Sequence, residues 1–127
     1  MNAEAFANAM LETDSSIRYV AVVTDDYRIL ASKQREGVAQ LTSDEVRRNF
    51  ISIIPQIITE SVDKLAPFLG RVNGITAHYE KALLVFYRFE DLIIIMSFEP
   101  GVATPFYKRI TEDFKKHSIK YLLQNST

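Results

Sequence analysis

Two stretches late in the chain, Leu83–Leu84–Val85–Phe86 and Leu92–Ile93–Ile94–Ile95–Met96, are apolar at every position. A strand with one wet face alternates apolar and polar residues, so strands that do not alternate are covered on both sides. That requirement sets the layering: a sheet in the middle, with helices on each side of it. The longest apolar runs, Ala82 to Tyr87 and Leu92 to Met96, fall far short of the roughly 20 residues a membrane helix needs.

The rest of the chain supplies the neighbours of those strands. Ala3, Phe6, Ala7, Met10 and Leu11 recur at helical spacing within Met1 to Asp14 and predict a short amphipathic helix, ended by Asp14, Ser15 and Ser16. A helix of that length is marginal alone in water, so it docks on something. Ile17 to Thr24 is rich in β-branched residues and predicts a strand. Asp25 and Asp26 supply turn chemistry, and a second strand is expected from Tyr27 to about Lys33. Gln34 to Gln40, centred on Arg35, Glu36 and Gly37, is a connecting loop.

A long helix is predicted from Thr42 to Ala66, about 25 residues and about 37 Å. Thr42 and Glu45 have the spacing of a capping box. Val46, Phe50, Ile53, Ile54, Ile57, Val62 and Leu65 fall on or beside one stripe. Asp44–Arg48 and Glu60–Lys64 are i,i+4 pairs, Pro55 predicts a kink, and Pro67 with Gly70 ends the helix. Arg71–Tyr79, Ala82–Arg88 and Leu92–Phe98 then read as three antiparallel strands joined by short turns. The first carries Arg71, Asn73, Thr76 and His78 and suits a sheet edge. Glu99, Pro100 and Gly101 break the pattern. Pro105, Phe106, Ile110, Phe114, Tyr121 and Leu122 predict a final helix to about Leu123, with Gln124 to Thr127 frayed. The expected fold is α+β: three-layer α/β/α around one five-stranded antiparallel sheet, element order α-β-β-α-β-β-β-α, in a single domain over residues 1–127.

Fifteen basic residues stand against sixteen acidic ones, so a strongly electrostatic partnership with nucleic acid has no support. The absence of Cys removes disulfides, thiolate metal sites and Cys nucleophiles together. Met1 to Met10 has no basic residue and no signal-peptide-length apolar block, so a cytoplasmic protein is expected, with no membrane contact. His78 and Glu80 spell the H-x-E of zinc deaminases, a site that cannot be assembled without Cys. His117 has no second ligand at i+3 or i+4, and Asp25–Asp26 lacks the alternating ligands of a cation loop. Lys108, Arg109, Lys115, Lys116 and Lys120 make the last helix basic, which is read as a solvated face. Ser15, Ser16 and Ser43 lack a nucleophile-elbow context, and no glycine-rich phosphate loop occurs. No catalytic, cofactor-binding or metal-binding residue is therefore expected.

This order of elements resembles the roadblock family of dynein light chain-like domains, and the wider longin and profilin-like group. The likeness runs from about Ala3 to Leu123. Ile17–Arg18–Tyr19–Val20–Ala21–Val22–Val23, then Ile29–Leu30–Ala31, then Arg35–Glu36–Gly37–Val38 leading into Leu41–Thr42 look like short archaeal proteins of unassigned function with this fold. The turn Asp25–Asp26–Tyr27–Arg28 departs from the family's usual glycine. The resemblance implies a domain without enzymatic activity that dimerises, often through the long helix and the neighbouring edge strand, and serves as a scaffold or a regulator of small GTPases.

The residues themselves point the same way. Ile51, Ile53, Ile54, Ile57 and Ile58 wrap more than one stripe of the long helix, more than one sheet can cover. A homodimer is therefore expected, with Ile51, Ile54, Ile58, Arg71, Asn73 and Ile75 at a two-fold interface. The alternative is a PAS-like small-ligand sensor whose cavity would be lined by Tyr79, Phe86, Tyr87 and Phe98.

Overall fold

A computed structural model describes residues 1–26, 28–60, 62–101 and 104–123; among these the side chains at 52, 54, 55, 58–60, 62, 63 and 104–108 are not described. The expectations for Tyr27, for Gln124 to Thr127, and for the side chains of Ile54, Pro55, Ile58, Glu60, Val62, Pro105, Phe106 and Lys108 thus lie outside the described residues.

The helices are α1 (Ala3–Thr13), α2 (Asp44–Glu60), α3 (Ala66–Leu69) and α4 (Thr104–Leu122); the strands are β1 (Ile17–Thr24), β2 (Ile29–Gln34), β3 (Gly74–His78), β4 (Leu83–Phe89) and β5 (Leu92–Phe98). The five strands form one sheet in the order β2-β1-β5-β4-β3, antiparallel throughout. The α+β, three-layer fold expected from the sequence is the fold observed.

Because successive side chains of a strand point to opposite faces, the central pair β1 and β5 splits cleanly into two cores. Val20, Val22, Ile94, Met96 and Phe98 face α1 and α4, where they meet Phe6, Met10, Ile110, Phe114 and Leu122. Tyr19, Ala21, Val23, Ile93 and Ile95 face the other way, with Phe86 and with Ile51 of α2. Two-sided burial explains why the apolar runs did not alternate. The edge position of β3 matches its polar sequence.

Local chemistry ties the ends together. The Asn2 side chain caps α1 by accepting from the Ala5 N–H at 3.0 Å, and the Asn2 N–H donates to the Tyr121 carbonyl at 2.7 Å. Arg35, on the loop after β2, donates from Nε to the Ile17 carbonyl at 2.6 Å and from Nη2 to the carbonyls of Leu11 and Asp14. Its guanidinium thereby satisfies carbonyls that the end of α1 leaves without intrahelical partners.

The long helix departs from expectation. Its cap is Ser43, whose hydroxyl accepts from the Val46 N–H at 3.2 Å, rather than Thr42. Asp44 pairs with Arg47 at 2.9 Å, one position short of Arg48. The backbone stays helical through Pro55, but α2 ends at Glu60, followed by a 3₁₀ turn at Val62–Leu65 and then α3. Pro67 explains the restart: inside an α-helix its ring would clash with the carbonyl of Asp63, whereas in the first turn of α3 its missing N–H is not needed. Gly70 closes α3 at φ 83°, a left-handed conformation open to glycine, with its N–H on the Ala66 carbonyl.

Candidate interaction surface

The outer side of α2 and the segment after it leave large apolar side chains in water. Ile53 and Ile57, one helical turn apart, are each about half exposed, as is Leu65. On α3, Phe68 is 82% and Leu69 77% exposed. Large apolar side chains are exposed in this way at many interaction and ligand-binding surfaces. β3 follows α3 in the chain and is an end strand of the sheet, with no strand on its outer side among the described residues.

The sequence-derived interface residues distribute unevenly over this surface. Ile51 is 2% exposed and belongs to the core beneath α2, because it packs on the sheet; the outward positions are Ile53 and Ile57. Ile54 and Ile58 carry side chains outside the described ones. Arg71 is exposed and its guanidinium reaches the Glu90 carbonyl, with the Asp91 carboxylate 4.0 Å away. The Asn73 carbonyl accepts the Arg88 N–H at 3.0 Å, just before β3 begins. Ile75 is half-buried, opposite Phe86 in the strand register. Sequence reasoning passed over Phe68 and Leu69 because it treated Pro67 as a stop; Pro67 as a first-turn residue would have exposed them as a short apolar helix.

The other candidates have structural partners. Asp26 pairs with Arg28 at 3.3 Å and also accepts from the Thr24 hydroxyl; both hold its carboxyl below the usual range. His117 faces α1, with Nε2 3.5 Å from the Thr13 hydroxyl, and burial holds its pKa below the ordinary value. Burial pushes the Asp14 carboxyl up, but the bond from the Ser16 N–H at 2.9 Å and the contact with Arg109 outweigh it and leave the pKa lowered. Among the described residues no group of three or more His, Asp or Glu is placed to hold a metal ion, and no helix is long and apolar enough to cross a membrane.

A second feature lies on the same face of the sheet, at the opposite end of α2. There a groove of about 350 Å³ opens between the first turns of α2 and the sheet. Of the four aromatic residues expected to line a cavity, only Tyr79 borders it. Phe86 is buried in the α2-side core, and Phe98 and Tyr87 pack on the α1–α4 side, Tyr87 stacked on Phe114 at 4.5 Å. Strand alternation sends these side chains to opposite faces of the sheet, so they cannot share one cavity.

No protein-family model matches the chain, and no curated protein matches it by sequence. Its fold does match solved structures. A roadblock/LC7 domain from Streptomyces avermitilis is 6% identical, with 96% of this chain and 98% of that one covered at a TM-score of 0.71. Myxococcus xanthus MglB is 12% identical over 93% and 92% of the two chains, also at 0.71. A Schizosaccharomyces pombe profilin is 12% identical over 96% and 100%, at 0.63. At such identities the likeness is one of fold, and the fold is roadblock-like.

Proposed function

We propose that this chain is a cytoplasmic, non-enzymatic protein–protein interaction module that pairs with a second copy of itself and acts as a scaffold or regulator. A small GTPase is the partner class to which the roadblock resemblance points. The observation that carries this reading is the exposure of five large apolar side chains, Ile53, Ile57, Leu65, Phe68 and Leu69, on α2 and the segment after it. A two-fold contact sets the same patch against itself, so one copy covers the other without any further complementary surface. Edge strands left open invite pairing, and β3 is an end strand of the sheet.

The experiment is light scattering on the full chain at micromolar concentration, with Phe68→Asp as the variant. The expected wild-type mass is twice 14.5 kDa. Phe68 is exposed in the single chain, so the aspartate leaves the fold intact while weakening the dimer about tenfold or more. A wild-type mass of 14.5 kDa at all concentrations removes the reading. Binding of a GTP-loaded small GTPase to wild type, measured by interferometry, tests the finer assignment.

A further inference from the structure

The groove under the first turns of α2 has a floor made by one row of the sheet, where Tyr19, Ser97 and Leu84 lie side by side on β1, β5 and β4. It stands open because of Ser97. Elsewhere β5 directs Ile93 and Ile95 at this side, and a serine in the same series leaves space that α2 does not fill. Phe50 and Val46 form the helix wall, and the β3–β4 turn, closed by the Tyr79 N–H on the Ala82 carbonyl at 2.9 Å, forms the other. Leu41, Val46 and Tyr79 ring the mouth, each more than half exposed.

The charges around this apolar space are of one sign. Arg18, Arg47 and Lys81 border it, and no acidic side chain does so among the described residues. Arg18 is held by Glu99 at 2.6 Å, and Arg47 by Asp44 at 2.9 Å with its guanidinium 4.9 Å from the centre of the Tyr19 ring. Lys81, exposed on the turn, has no ion-pair partner among the described residues. An apolar hollow with Lys81 at its rim, without an ion-pair partner among the described residues, complements a molecule with an apolar body and a single anionic head.

We propose that this groove binds a small amphipathic monocarboxylate, with its alkyl or aryl body on Leu84, Phe50 and Tyr19 and its carboxylate at Lys81. A volume near 350 Å³ lies within the range of small-ligand pockets. An extended peptide has less to gain there. The floor is formed by β1, β5 and β4, each already paired on both sides, so no strand edge is available for backbone pairing. The proposal is independent of dimerisation, which uses the other end of α2.

The test is titration of the full chain with sodium decanoate, followed by amide chemical shifts, with decanol as the neutral match. The expected result is saturation at one decanoate per chain, with shifts at Tyr19, Leu84 and Ser97. Decanol, and decanoate with Lys81→Glu, should each bind about tenfold more weakly or worse. Ser97→Phe fills the floor and should abolish binding while unfolding remains cooperative; if that variant fails to fold, the exposed Lys81→Glu decides. The proposal is overturned by shifts confined to residues 53–69, by absence of saturation, by decanol binding equal to decanoate, or by Lys81→Glu binding like wild type. Loss of the dimer with groove binding intact removes only the earlier reading, and the converse removes only this one.

Discussion

The two faces of the sheet are built from alternate residues of the same strands, yet they are finished differently. Toward α1 and α4, Phe6, Met10, Ile110, Phe114 and Leu122 are all within 5% of full burial. Phe114 stacks on Tyr87 and meets Phe6 edge-on at 6.1 Å, while the Tyr87 hydroxyl lies 3.1 Å from that of Thr111. Toward α2 the strands present mostly apolar side chains, with Ser97 among them, and the helix covers only part of them. Phe50 tilts against Phe86 at 6.1 Å, Ile51 reaches the sheet, and the groove opens beside them. How dry a face becomes is set jointly by the side chains the strands present, Ser97 among them, and by the helix laid on them. Regions with fewer buried contacts open more easily and are where binding surfaces are found.

The largest expected effect follows from that contrast. Phe114→Ala should cost about 3–5 kcal/mol, because its neighbours Phe6 on α1 and Tyr87 on β4 cannot collapse into the space. Phe50→Ala, at the rim of the groove, should cost about 1–2 kcal/mol, since water already reaches that space. Urea unfolding of both variants measures the difference. Equal losses would mean that the α2 face is as tightly packed as the other.

How much of this was legible beforehand differs between the faces in the same way. Runs such as Leu92–Met96 announce two-sided burial directly, and β1 and β5 occupy the predicted bounds. The α1–α4 face was readable because Phe6, Met10, Ile110 and Phe114 sit at plain helical spacing. On the α2 side, the excess of isoleucines was visible but its direction was not. Which isoleucine turns inward depends on the rotation of the helix about its axis, and a stripe wider than one face leaves that rotation undetermined; Ile51 fell inside and Ile53 outside. The groove was illegible because it arises from Ser97 being small where its neighbours in the series are large, a property of three adjacent strands. Arg35, singled out as a loop residue, proved to be a clamp on the carbonyls of Leu11, Asp14 and Ile17, which depends on contacts 18 to 24 residues away.

The closely packed face also carries a pH dependence that the other should lack. Burial disfavours the charged form of His117, and Lys116 and Lys120 add to this, while Asp113 opposes it. Its Nδ1 is buried without a hydrogen-bond partner among the described residues. The folded pKa is therefore below the unfolded value of about 6.5, and the unfolded chain binds the proton more readily. Stability from this group is complete above about pH 6.5 and declines as pH falls through that value toward the folded pKa. Melting temperatures of wild type and His117→Gln, followed from about pH 7.5 to pH 5.5, should show a decline that the variant flattens. Hydrogen exchange at the lower pH should show α1 exchanging faster in the wild type than in His117→Gln. A decline identical in the variant would assign it to other groups.

The smallest effect tests whether the two faces open together. Glu90, in the two-residue turn between β4 and β5, has φ 54°, a left-handed conformation that costs a side-chain-bearing residue more than glycine. Glu90→Gly relieves that strain and loses part of the gain to the freer unfolded chain, leaving a stabilisation of about 0.5–1 kcal/mol. The Arg71 contact to its carbonyl survives, being a backbone contact. The turn belongs to neither face, so the gain raises the free energy of global unfolding alone. Amides of β1, β5 and α1, which exchange only when the whole molecule opens, should then slow by roughly two- to fivefold. Amides of α2, if its half-covered face opens locally at lower cost, should keep their wild-type rates. Equal slowing in α2 would show the faces unfolding as one unit and the groove side no weaker than its opposite.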